Sequence, residues 1–224
     1  MTRPTVFLFG LGLLSMAWLM PQHTFYGHMA AHMTVVAVAA PLLALGLAGG
    51  NFDPMQRWPG SSPLLASLLE LVVVWLWHMP VLHEAARQNG FALFAEQASF
   101  LASGFLLWIT IFGGDASRSA ERAAIGIVAL LLTLMHMTLL GALLALSPRA
   151  LYAGHHTHSA LQDQELGGVI MIATGGITYM AGALWLAGSL LGERGGSPGR
   201  GSGLVLLATP AADADPPHNL PLPL

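Results

Sequence analysis

Apolar residues fall in six long runs, at about 5–20, 28–48, 64–83, 92–112, 123–146 and 166–191, parted by stretches rich in Gly, Pro and polar residues. About 20 apolar residues are what one helix needs to cross the hydrocarbon core of a bilayer. Lipid offers no hydrogen bonds, so a spanning chain must satisfy its backbone within helices or a closed barrel. The pattern therefore predicts an all-α, polytopic transmembrane helical bundle of about six spans. Only 8% of the residues are charged, against roughly a quarter in soluble domains. The first run is short and ends at Pro21. It resembles a signal-peptide core, but no small-x-small cleavage site follows, so a retained helix is expected. Residues 1–191 read as one membrane domain, and the Gly/Pro-rich residues 192–224 as a flexible cytoplasmic tail.

The chain has no lysine, and its arginines set the expected topology. With the N-terminus inside, Arg3, Arg57, Arg118, Arg122, Arg194 and Arg200 fall on the inner side, and Arg87 and Arg149 on the outer. That bias predicts an N-in, C-in arrangement. The net charge of -3 is small and gives no reason to expect nucleic acid as a partner. The absence of cysteine excludes disulfides, thiolate zinc sites, iron–sulfur clusters and CxxCH haem attachment. Any metal must be held by His, Met, carboxylate or backbone groups. No nucleophile–base pair, phosphate loop or nucleotide fingerprint appears, so no enzyme activity is expected.

Under this topology the histidines gather toward the outer side. His23 lies in the first outer loop, His28 and His32 open the second run, His78 and His83 close the third, and His136 lies inside the fifth. Glu96 sits about one turn deep in the fourth. Ionisable groups in spanning segments are costly and face a bundle interior or a functional site, and imidazole is the commonest nitrogen ligand for transition metals. His28, His32, His78, His136 and Glu96 are therefore the candidate metal ligands. His28 and His32, four residues apart, share one helix face about 6 Å apart along the axis. His78 and His83 differ by roughly 140° on a continuous helix, so His78 is read as the inward residue and His83 as a surface one. His136 is a candidate ligand or a support for one. Glu96 needs a partner, either a histidine or the metal.

Met29 and Met33 are soft donors that suit Cu(I), but they read as ordinary apolar filling. His155, His156 and His158 form either a metal-capture tract or a solvated loop. Asp163 is read as a cap on the last helix. Gly168, Gly175 and Gly182 recur at seven-residue spacing and permit close helix packing.

Several local patterns occur together in order: GHMAAHM (27–33) followed by the Pro41-Leu-Leu run, WHMPVLHEA (77–85), GALLALSPRALY (141–152), DQELGGVIM (163–171) and GGITYMAGAL (175–184). Over residues 20–190 the set resembles the multi-pass cytochrome c oxidase assembly factor family called CtaG. The resemblance implies a multi-pass protein of the bacterial plasma (inner) membrane that assembles a haem–copper oxidase, with copper handled at the outer face and oxidase subunits as partners. It carries His28, His32, His78 and His136 as functional positions, and Asp163 and Gln164 as a motif without an assigned role. Where the family has His before the aromatic run of its fourth helix, this chain has Glu96-Gln97, which hardens the ligand set. Two alternatives stay open: a haem-binding electron carrier with two histidines on one haem, and a metal-free accessory subunit of an oxidase complex.

Overall fold

The computed structural model describes residues 2–115, 119–152 and 159–195. It is all helical among these residues. The helices are α1 (Arg3–Leu19), α2 (Phe25–Met33), α3 (Ala40–Leu47), α4 (Pro63–Trp77), α5 (Pro80–Gln88), α6 (Gly90–Phe112), α7 (Ser119–Ala145) and α8 (Ala160–Gly195). Four segments among the described residues are long and apolar enough to cross a membrane: Phe25–Leu47, Gly90–Phe112, Ser119–Ala145 and Ala160–Gly192. The α4–α5 pair qualifies only as a broken unit bent by 73°, and α1 is shorter than a full span.

Two prolines explain the departures from straight helices. α2 runs into α3 through a widened π-turn at Thr34–Ala39. Pro41 has no N–H, and its ring would strike the carbonyl four residues back, at Ala37. The wider turn relieves that crowding, and Ala40 N–H bonds instead to Val35 O. Between α4 and α5 the break is complete. Met79, the residue before Pro80, is extended (φ -65°, ψ 129°), because the proline ring disfavours the helical region for its predecessor. The apolar run 64–83 is thus not one helix.

Helix starts carry the expected signals. Thr24 Oγ1 accepts from Gly27 N–H at 3.2 Å, Asn89 Oδ1 accepts from Phe91 N–H at 2.8 Å, and prolines open α4 and α5. α8 starts at Ala160, six residues ahead of the expected boundary. Ser159 stands at its cap and accepts from Gln162 N–H at 3.2 Å.

α7 and α8 cross most closely where glycines face each other. A Cβ on Gly168 would lie 2.6 Å from both Gly141 O and Ala145 N, and one on Gly141 would lie 2.9 Å from Gly168 O. Gly182 sits against the Trp108 ring in the same way, at 2.6 Å. Gly175 has ordinary contacts from 3.6 Å, so the seven-residue spacing overstates its role.

The two ends of the bundle differ in chemistry. At one end Arg3 and Arg122 line a cavity of about 760 Å³ with Gly49 and Gly114. There Asp53 ties two loops together, accepting from the N–H groups of Gly49 (2.8 Å), Met55 (2.9 Å) and Gly114 (2.7 Å). His28, His32, His78, His83 and Glu96 gather near the other end. The tract His155, His156 and His158, residues 196–224, Arg118 and Arg200 lie outside the described residues.

Replacing Gly168 with Leu is expected to lower stability in detergent by roughly 1–3 kcal/mol through overpacking. Gly176→Leu, where a side chain meets nothing within 4 Å, is expected to be near neutral. Thermal unfolding of both variants checks this.

Candidate metal centre

His28 and His32 are on one face of α2, and their rings meet edge to face with centroids 5.6 Å apart. His32 meets His78 from the end of α4 at 5.3 Å. His28 meets His83 from α5 at 4.8 Å. Four imidazoles thus form an unbroken chain, His83–His28–His32–His78, drawn from three elements. All four are buried. Glu96 of α6 joins this chain, its Oε1 3.1 Å from His28 Nε2, which answers the need for a partner seen in the sequence.

His83 corrects an expectation. Read as a surface residue, it is only 2% exposed and packs into the cluster. The angular argument assumed a continuous helix from His78 to His83. The 73° bend at Met79–Pro80 cancels that assumption and turns α5 back toward α2. His28, His83 and Glu96 each offer one ligand atom, and these atoms lie within 4.8 Å of one another.

The surroundings fix these rings. His78 Nδ1 donates to Val74 O at 2.7 Å, which leaves Nε2 as the bare lone pair. Metal-binding histidines are oriented in this way, by a hydrogen bond from the other ring nitrogen. Tyr152 Oη donates to His78 O at 2.6 Å, tying down the broken end of α4. Burial pushes the Tyr152 hydroxyl up to about 12, so it remains a donor across ordinary pH. The Tyr152 ring stacks on Phe25 at 4.4 Å and meets His83 at 4.6 Å. Phe100 stacks on His32 at 4.7 Å.

Asp163 and Gln164 act at a distance. Asp163 does not cap its own helix. Its two carboxylate oxygens accept from Phe25 N–H and Tyr26 N–H, both at 2.9 Å, and so anchor the start of α2. Gln164 accepts from Leu151 N–H at 2.7 Å and donates to Leu144 O at 3.0 Å, holding the loop that carries Tyr152. The pair therefore sets two approaches to the histidines. Sequence reasoning missed these roles because the partners of Asp163 are 137 and 138 residues away.

Several buried polar atoms in this region have no protein partner: His32 Nδ1 and Nε2, His78 Nε2, and Glu96 Oε2. Each such atom costs about 1–3 kcal/mol unless something fills the bond. The lone pairs among them, on His32, His78 and Glu96, are ones that a bound cation would engage. Access exists on one side, where a cavity of about 630 Å³ is lined by Gln22, His23, His28 and Arg87 among others.

His136 stands apart. It is buried with both ring nitrogens unpartnered, yet among the described residues no ring contact or ligand grouping joins it to the other histidines. Met29 and Met33 lie against α8, near Gly167 and Gly175 respectively, as apolar filling. The sequence reading also passed over Glu70, which is fully buried in α4. Tyr179 Oη donates to its Oε1 at 2.8 Å, and Thr133 Oγ1 to its Oε2 at 3.4 Å. A carboxylate in the middle of an apolar run was the available signal, as it was for Glu96.

Comparison with known proteins places this geometry in context. A family described as cytochrome c oxidase caa3 assembly factor (Caa3_CtaG) matches residues 1–192. No curated protein and no solved structure matches.

Asp163→Ala removes the acceptor for two backbone donors and is expected to cost about 1–3 kcal/mol. Hydrogen exchange at the Phe25 and Tyr26 amides should rise more than at α6, and unchanged protection there would contradict the assigned role.

Proposed function

This chain belongs to the cytochrome c oxidase caa3 assembly factor family, and from that premise we propose that it binds copper as cargo at the outer face of the bacterial plasma membrane and presents it to an oxidase subunit. The observation that carries this reading is the His28–His83–Glu96 grouping, three ligand atoms within 4.8 Å of one another beside unpartnered buried donors. Two neutral imidazoles and one carboxylate carry a single negative charge, which a monovalent cation neutralises. That balance matters in a low-dielectric interior, where an uncompensated charge is expensive. Imidazole and carboxylate also accept Cu(II), so the site retains a cation through a change of oxidation state.

The sidedness of the bundle supports the outer placement. Of the described loops and helix ends, Arg3, Arg57 and Arg122 belong to the end away from the histidines, and Arg87 and Arg149 to the histidine end. That division fits an N-in, C-in arrangement with the cluster outside. Six crossings complete this topology. α1, at about 25 Å, serves as a short first span, and the broken α4–α5 pair as the third. The residues have distinct tasks. His28 faces the open cavity and receives the ion, Glu96 supplies the countercharge, and His83 closes the shell from α5. Tyr152, Asp163 and Gln164 hold the elements in place.

The cluster argues against a haem between these histidines. Neighbouring rings touch edge to face at 4.8–5.6 Å, so no planar macrocycle fits between them in this packing.

Protein purified in detergent from copper-supplemented cells is expected to retain at least about one copper per chain. His28→Ala and Glu96→Gln should each weaken the binding of one copper equivalent about tenfold or more, and should lower oxidase activity in the producing cells. Copper affinity equal to wild type at every equivalent in both variants would remove the reading.

A further inference from the structure

We propose that His32 and His78 form a second, deeper Cu(I) position, built from two imidazoles without a carboxylate and filled from the His28–His83–Glu96 position. This rests on the reading of that first position as a copper site. Three observations carry it. His78 Nε2 is buried and bare, while its Nδ1–H is held by Val74 O at 2.7 Å, so the lone pair is fixed in one tautomer. Both nitrogens of His32, which is 1% exposed, are also without partners, and its ring lies 5.3 Å from that of His78. Phe100 stacks on His32 and also reaches His78, at 4.7 and 6.4 Å, giving this pair an apolar wall.

The two positions differ in chemistry and in access. The first contains a carboxylate, and its His28 lines the 630 Å³ cavity. The second lacks a carboxylate, and neither His32 nor His78 lines that cavity. Imidazoles alone favour a soft, low-coordinate ion, and a pair of them suits two-coordinate Cu(I). The positive charge remains one ring away from Glu96, which limits the cost of burying it.

The connection is His28, whose ring touches that of His32 at 5.6 Å. Transfer is a ligand exchange. The bonds from copper to His83 and Glu96 break as a bond to His32 forms, the bond to His28 then breaks as one to His78 forms, copper stays Cu(I), and no electron or proton is moved. His28 faces the loading cavity on one side and the holding pair on the other.

The test titrates detergent-purified, apo full-length protein with Cu(I) supplied by a chromophoric Cu(I) chelator, and records copper K-edge absorption at each equivalent. Wild type is expected to take two equivalents, one of them with the strong edge feature of two-coordinate Cu(I). It should release them to excess chelator in two phases. His78→Ala should take one equivalent and lose both the edge feature and the slow phase. Glu96→Gln should weaken the other equivalent and keep the edge feature. The equivalent retained by His78→Ala reports that the fold survives. Should that variant bind nothing, His32→Phe keeps the stack on Phe100 without the nitrogens; loss of only one equivalent supports the proposal, and loss of both overturns it. A wild type that takes one equivalent, abolished alike by His78→Ala and Glu96→Gln, means a single site and overturns the second position alone. No uptake by wild type overturns both readings.

Discussion

The ring of Pro80 shapes the functional end of the molecule. It ends α4 at Trp77, forces Met79 into an extended conformation and sends α5 off at 73°. Without that bend His83 would face away from His78, and the three-residue ligand grouping would not exist. A broken helix end in an apolar setting leaves carbonyls that need partners. Here Tyr152 supplies a bond to His78 O, and the His78 ring adds a second bond to Val74 O, which also accepts from the His78 N–H. The same groups that repair the break also orient the imidazoles.

Around this break lies a framework of polar bonds between elements distant in sequence. Asp163 joins α8 to the start of α2, Gln164 joins α8 to the loop before it, and Trp77 Nε1 donates to Ser99 Oγ between α4 and α6 at 2.8 Å. Ser99 in turn donates to Glu96 O at 2.8 Å. α2, α4, α6 and α7 are each tied by at least one bond whose partner comes from elsewhere in the chain, and α5 is held through the ring contacts of His83 with Phe25, His28 and Tyr152. Preorganisation of this kind is what a metal site requires of its surroundings. By contrast, His32 Nδ1 and Nε2, His78 Nε2 and Glu96 Oε2 are left open.

Much of this was legible in the sequence, because its signals are local. The apolar runs gave the helices, the four-residue spacing put His28 and His32 together, and a carboxylate at membrane depth pointed to a buried partner for Glu96. What escaped was set by long-range packing or by a local break. Helical geometry carried across Met79–Pro80 misplaced His83, although a proline in a helix pattern marks a boundary in its own right. Asp163 reads locally as a cap, and only the fold reveals that it anchors α2. Tyr152 lies in a loop, where neither periodicity nor composition assigns a role. Glu70 carried the same signal as Glu96 and went unread; it proves to be satisfied by Tyr179 and Thr133. The family match over residues 1–192 agrees with the ordered motifs.

The central claim is that His28, His83 and Glu96 together enclose a copper ion. Anomalous diffraction at the copper edge, from crystals of copper-loaded protein, locates the ion without reference to any variant. The account predicts a copper peak within bonding distance of His28, His83 and Glu96. Copper peaks only elsewhere, the tract at His155, His156 and His158 included, would contradict it.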